Sequence, residues 1–196
     1  IELSALQGHP AAHTILYEWL RPFGFHQNQV TQLLASAQRR AGGLFFSDTH
    51  ELLVDREQLL VQPITPQSET EHFFVSPHGR FSLKNGILQL KGEVIPPATF
   101  TDDENVVYLD FNKLVFPLKL RRWQPGDVFQ PLGMKAKHQK LQDFFTNQKL
   151  SRFDKEKVWL LESAGEICWI VGHRLDERFK VTDQTKSCLH IQWQPA

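Results

Sequence analysis

Cysteine and methionine are scarce in this chain: two Cys and one Met in 196 residues. Cys168 and Cys188 both lie inside apolar runs that read as strands, which excludes a disulfide framework and suits reduced packing residues. No Cys pair has zinc-finger spacing, and neither Cys has a His or Asp arrangement that would mark a nucleophile. Long hydrophobic runs are missing too. None approaches the roughly 18 apolar residues a membrane span needs, and the start, IELSALQGHP, lacks the basic-then-apolar layout of a signal peptide. No membrane partner and a cytoplasmic location are therefore expected. The chain contains neither a Gly-x-x-x-x-Gly-Lys-Ser/Thr motif nor a Ser-Gly-Gly-x-Asp-Ser motif, so no nucleotide phosphate site is expected within it. The nine histidines are scattered, and His9 and His13 are split by Pro10, so no metal site is expected. The chain also lacks an initiator Met. Its abrupt start at Ile1 reads as a fragment of a longer polypeptide whose missing part holds the chemistry.

Net charge is absent as well, with 22 Lys and Arg balancing 22 Asp and Glu, but that neutrality conceals a strong separation. Residues 113–160 hold eleven Lys and Arg against four Asp and Glu, a local surplus of seven positive charges. Residues 1–112 carry a surplus of six negative charges and residues 161–196 of one. A basic segment on a neutral chain points to a polyanion site on one face.

What is present is enough for a core: 41% apolar residues, with 15 Phe. Ile15, Leu16, Trp19, Leu20 and Phe23 fall on one helical stripe that Pro22 and Gly24 end. Val30, Leu33, Leu34 and Ala37 repeat the helical spacing, and Gly42-Gly43 stops it. Short apolar runs at 44–46, 52–54 and 59–61 read as strands, and 62–70, with two prolines, as a linker. Beyond it, 73–76, 80–84 and 87–91 read as strands, with Asn85-Gly86 as a two-residue type I′ hairpin loop. Runs at 106–109 and 114–120 continue the β pattern, and Pro117 should sit at an edge or bulge. Leu141, Phe144 and Phe145 mark a short helix, and Ser151 with Asp154 has capping-box spacing for another. Runs at 167–171, 179–181 and 189–193 read as strands. The fold class is α+β: an N-terminal helical remnant with small strands (1–62), a β-rich linking region (63–112) and a small mixed α/β C-terminal domain (113–196).

The chemistry concentrates in 121–157. Pro125-Gly126 suits the central positions of a type II turn, and Asp127 can bond the turn amides. Such a turn brings Arg121, Arg122 and Trp123 towards Phe129, and basic groups beside rings can hold phosphate and stack on a base. The same residues also allow a reading in which Trp123 and Phe129 are core and the arginines a solvated face. Lys135, Lys137, His138 and Lys140 follow within six positions, then Lys149, Arg152, Lys155 and Lys157. Lysines contact phosphates without reading sequence, so they supply affinity and salt dependence. Asp102, Asp103 and Glu104 read as a solvated loop.

The runs VVYLDFNKLVFPLKLRRWQPGDVFQPLGM, KLQDFFTNQKLSRFDKEKVWLLE and GEICWIVGHRLDERFKVT resemble the C-terminal part of bacterial tRNA(Ile)-lysidine synthetases. The elements that carry the resemblance are Arg121, Pro125, Gly126, Asp127, Pro131, Gly133 and Lys140, then Asp143, Phe144 and Phe145, then Trp169, Gly172, Arg174, Phe179 and Lys180. Residues 1–62 resemble the end of that family's helical substrate-binding region. The resemblance implies an ATP-dependent ligase that adenylates the wobble cytidine of a tRNA(Ile) with a CAU anticodon and joins lysine to it. It places the adenylating domain, with ATP and Mg, upstream of Ile1, so this chain would hold no catalytic residue and no cofactor. It implies contacts to the acceptor end of tRNA(Ile), by backbone and shape, and leaves a homodimer open. The tRNA-binding candidates are Arg121, Arg122, Lys135, Lys137, Lys140, Lys149, Arg152 and Arg174, with Pro125, Gly126 and Asp127 shaping the loop. Two other classes stay open: a protein-interaction module that docks the missing catalytic domain or an acidic partner, and a hydrolase using Asp127, Asp143 or His138.

Overall fold

The computed structural model describes residues 1–6, 8–37, 42–64, 71–134 and 137–196. They form two compact units, Ile1–Ser68 with Ser151–Phe153, and Glu69–Leu150 with Asp154–Ala196.

In the first unit, α1 (Ala12–Leu20) and α2 (Gln27–Ala37) are joined through a 3₁₀ turn at Arg21–Phe23 that Gly24 closes in the left-handed region. Leu16 and Leu20, four apart on α1, and Val30 and Leu33 on α2 are almost fully buried. Ile15 lies one step of about 100° around the helix from Leu16 and is exposed instead. Strands β1 (Leu44–Phe46), β2 (His50–Asp55) and β3 (Gln58–Pro63) form an antiparallel meander, and Leu52, Val54 and Leu59 join the helix side chains in one core.

The described residues of the second unit form eleven strands, one short helix and the greater part of another. In chain order these are β4 (His72–Val75), β5 (His78–Leu83), β6 (Gly86–Val94), β7 (Val106–Asp110), β8 (Leu118–Arg122), β9 (Val128–Phe129) and β10 (Gln139–Lys140). Then come α3 (Leu141–Asn147), α4 (Arg152–Lys157), β11 (Trp159–Ser163), β12 (Glu166–Ile170), β13 (Arg174–Leu175) and β14 (Cys188–Pro195). A five-stranded sheet runs β13-β12-β11-β8-β4 and a four-stranded sheet β5-β6-β14-β7, and β9 pairs with β10. Every pairing is antiparallel. Residues 72–110 thus supply one strand of the five-stranded sheet, β4, and three of the four strands of the other, β5, β6 and β7.

Alternation along β11 explains the layering. Trp159 and Leu161 face a core shared with Leu88 and Leu90 of β6 and Leu189 and Ile191 of β14. Leu160 faces the other way, into a second core made by Leu141, Phe144 and Phe145 of α3 with Phe129 and Ile170. The five-stranded sheet is therefore covered on both faces, which is why β11 reads WLL rather than alternating apolar and polar. A bulge between Leu161 and Glu162 leaves Cys168 without an opposite partner. It lets Cys168 and Trp169, neighbours in sequence, both enter the first core.

Three local expectations shift, and β11 adds a strand that the apolar pattern did not separate. The β5–β6 loop is Lys84-Asn85, with Leu83 and Gly86 as the closing pair, so Gly86 is a strand residue rather than a turn residue. Neither loop residue has positive φ, so the turn is not type I′. The reason for glycine is close approach: a Cβ at Gly86 would lie 2.4 Å from the Gln194 carbonyl oxygen and 2.5 Å from the Trp193 ring. The run at 114–120 becomes strand only from Leu118, after Pro117, whose peptide bond is cis. The run at 179–181 is a 3₁₀ turn and a single bridge from Lys180 to Leu109. Finally, β11 follows α4 almost directly, so its apolar run is masked by the preceding helix pattern.

Candidate nucleic-acid interface

The Pro125-Gly126 turn forms as its residues dictate. Gly126 has φ +97°, and the Asp127 amide donates to the Gln124 carbonyl at 3.1 Å. The Asp127 carboxylate accepts from the Gln124 amide at 2.7 Å and from both terminal nitrogens of Arg121 at 2.9 Å. Arg121 Nε donates to Glu162 at 2.6 Å, and Nη1 to the Arg122 carbonyl at 3.1 Å. The strand register makes this clamp: Arg121 lies opposite Leu160, so Glu162 is its diagonal neighbour on the same face. The Arg121 side chain is 14% exposed, and its hydrogen bonds to Asp127 raise its pKa above the ordinary arginine value. Arg121 therefore braces the turn from beneath.

Arg122 points to the opposite face. Its guanidinium carbon sits 3.6 Å from the centre of the Trp159 ring, a cation–π contact, while Nη1 donates to the Lys157 carbonyl at 2.5 Å. Glu71 lies 3.7 Å away, and burial lowers the Arg122 pKa. Trp159 in turn donates from Nε1 to Asn85 at 2.8 Å, and Asn85 donates to the Lys157 carbonyl at 3.0 Å.

The remaining candidates lie on separate loops and element ends. Lys140, exposed on β10 opposite Val128, directly precedes α3, whose first amide at Leu141 donates to the Asp127 carbonyl at 2.9 Å. Lys140 is thereby brought to the Pro125–Asp127 turn. Lys137 is exposed, with its amide closing a turn onto Met134. Lys149 is exposed after α3, with φ +58°. Arg174 on the edge strand β13 donates to the Leu132 carbonyl at 2.8 Å. Arg152 opens α4 in the short segment that groups with the first unit. Lys135 lies outside the described residues. Phe129 is fully buried and Trp123 packs edge-on against Phe145, so these rings are core rather than stacking surface.

Sequence reasoning missed Glu162, Trp159, Asn85 and Asp176. Asp176 is fully buried and accepts from the Gln130 amide at 2.8 Å and from Arg178 Nε and Nη2 at 2.9 Å each. It anchors the start of the loop that leads to Lys137. Arg178 also pairs with Glu166 at 2.5 Å. Two of these pairings are long-range, since Glu162 lies 41 residues from Arg121 and Asp176 46 from Gln130.

The hydrolase candidates are not assembled. Asp127 is occupied by Arg121 and the turn amide, His138 reaches Gln130 at 3.4 Å, and Asp143 is an exposed first-turn residue of α3. Burial pushes the Cys168 thiol pKa far up, away from thiolate chemistry. Among the described residues no group of three His, Cys, Asp or Glu could hold a metal, and no helix is long and apolar enough to cross a membrane.

Two family models match: the TilS substrate binding domain over residues 1–64 and the TilS substrate C-terminal domain over residues 118–193. The tRNA(Ile)-lysidine synthase of Parabacteroides distasonis is 38% identical over 195 residues, covering 98% of this chain and 44% of that protein. The chain belongs to the tRNA(Ile)-lysidine synthase family. It corresponds to the C-terminal portion of those proteins. The synthase of Bacteroides thetaiotaomicron is 31% identical over 186 residues, with 95% of this chain and 41% of that protein covered. The chain thus spans less than half the length of these curated relatives. The crystal structure of a TILS C-terminal domain superposes with a TM-score of 0.59 at 17% identity, over 65% of this chain and 98% of that one. That likeness establishes a shared α+β fold.

Proposed function

We propose that this chain is the tRNA-recognition segment of an ATP-dependent ligase that converts the wobble cytidine of tRNA(Ile) with a CAU anticodon to lysidine. The whole protein would use lysine, ATP and Mg in the cytoplasm, with its adenylation site in a part not included in these 196 residues. The observation that carries the reading is the basic stretch of 113–160, in which Lys137, Lys140 and Lys149 are exposed and Arg121 braces a turn, in a chain of this family. Lys137, Lys140 and Lys149, with Lys135 and Arg152, are the proposed phosphate contacts. Arg121 and Arg122 act mainly from within, bracing the turn and its sheet, while Arg174, exposed on the edge strand β13, stays among the proposed contacts. Phosphate contacts of this kind set affinity and register rather than sequence choice.

A salt titration of binding to tRNA(Ile)(CAU), with an unrelated tRNA and an acidic protein as controls, tests this. Steeply salt-dependent tRNA binding is expected, with no ATP turnover by the chain alone. Binding to the acidic protein and not to tRNA at low salt would favour the alternative, a surface that docks the catalytic domain.

A further inference from the structure

A cavity of about 270 Å³ opens in the second unit, where the β5–β6 loop, the end of β14, the β12–β13 turn and α4 meet. Asn85, Asn105, Asp154, Lys157, His173 and Trp193 line it. Of these only Lys157 stands among the basic residues read from sequence, and none belongs to the braced turn. The volume sits just below the ~300 Å³ at which drug-sized sites begin, so its occupant is one ring rather than a long chain segment.

The lining is unusual in what it leaves open. Asn105 spends its amide nitrogen on Asp103, but its Oδ1 has no hydrogen-bond partner among the described residues. The same holds for Trp193 Nε1 and for the ring nitrogens of His173. Burial lowers the His173 pKa, so its imidazole is neutral at pH 7 and offers one donor and one acceptor. Gly172 keeps this arrangement possible: a Cβ there would meet Trp193 Cδ1 at 3.2 Å and Asn105 Oδ1 at 3.3 Å. Both donor and acceptor groups therefore line the cavity beside the Trp193 indole, with Asp154 and Lys157 among the lining residues.

That chemistry selects among ligand classes. A simple anion would face Asp154. An apolar ring would strand the amide, indole and imidazole groups, at about 1–3 kcal/mol for each polar group left unpaired. A planar ring with both donors and acceptors on its edge satisfies all of them, and unpaired bases in RNA loops and ends present such edges. We propose that this cavity is a pocket for one unpaired nucleobase, with Lys157 and the neighbouring Lys84 of the hairpin loop flanking it as phosphate contacts. The proposal rests on the RNA-binding reading above and adds to it a single-stranded subsite.

The test is ¹⁹F NMR of the chain labelled with 5-fluorotryptophan, whose five Trp signals are few enough to resolve. Trp193→Phe assigns the cavity signal. Adenosine, cytidine, guanosine and uridine are each titrated to millimolar concentration, with inorganic phosphate as control. A saturable shift of the Trp193 signal with at least one nucleoside is expected, and His173→Ala should weaken it roughly fivefold at an unchanged melting temperature. Asn105→Ala provides a second lining variant if His173→Ala perturbs folding. No saturable shift with any nucleoside, or an equal shift with phosphate, overturns the pocket. The same labelled sample with tRNA separates the two claims. Binding that leaves Trp193 unmoved sinks the pocket and keeps RNA recognition, while nucleoside shifts without tRNA binding keep the pocket and sink that reading.

Discussion

Arg121 shows how a residue with the composition of a phosphate ligand becomes a structural one. Its guanidinium is shared by Asp127 and Glu162, both largely buried. Removing one acid from such a cluster leaves a desolvated charge only partly paired. Asp127→Ala should therefore cost about 2–3 kcal/mol of stability, read from denaturant midpoints. Little change would mean that Glu162 alone satisfies the arginine. Histidines act at the same scale but on pH. Burial lowers the pKa of both His173 and His190, so over the window between folded and unfolded values the unfolded chain binds more protons. Stability should then fall as pH drops below about 6.5. The double variant His173→Gln, His190→Gln should flatten that limb of a melting-temperature profile, and an unaltered limb would place its origin elsewhere.

At the scale of elements, the strands depend on contacts that only the folded chain creates. Gly86 is the sharpest case, because the end of β14 closes over it. Gly86→Ala should cost roughly 3 kcal/mol, as overpacking does where backbone cannot yield. Phe145, fully buried between α3 and the five-stranded sheet, should cost about 3–5 kcal/mol on change to alanine. A clear test is whether both losses appear in thermal melts while Val115→Ala, at an exposed site, leaves the transition in place. The two helices of the first unit, the β1–β3 meander and α3 were legible from periodicity, since each buries one face of a local pattern. The doubly covered β11 was not, because a strand buried on both faces loses its alternation. The Asn85-Gly86 pair was legible as a hairpin but misplaced by one residue, since the demand for glycine came from Trp193, more than a hundred positions away in sequence. The turn at Pro125-Gly126 was readable because its chemistry is local.

For the whole molecule, the decisive quantity is where the charge sits. A neutral chain with seven surplus positive charges over 113–160 carries its charge unevenly along the sequence. Such an arrangement can draw in a polyanion while the total charge stays at zero. The sequence shows this imbalance directly, but it cannot separate cations held by carboxylates from those left to reach a ligand. Arg121 and Arg178 are paired in the fold, whereas Lys137 and Lys140 are exposed, Lys140 beside the braced turn. Counterion release makes that distinction measurable. Lys137→Ala and Lys140→Ala should each lower the slope of log K against log salt by about one for tRNA(Ile)(CAU) and for an unrelated tRNA alike. Lys186→Ala, exposed but outside the basic stretch, should leave the slope unchanged. If Lys186 mattered as much as Lys140, binding would be a diffuse effect of total cation count, and the braced surface around Asp127 would lose its claim to be the interface.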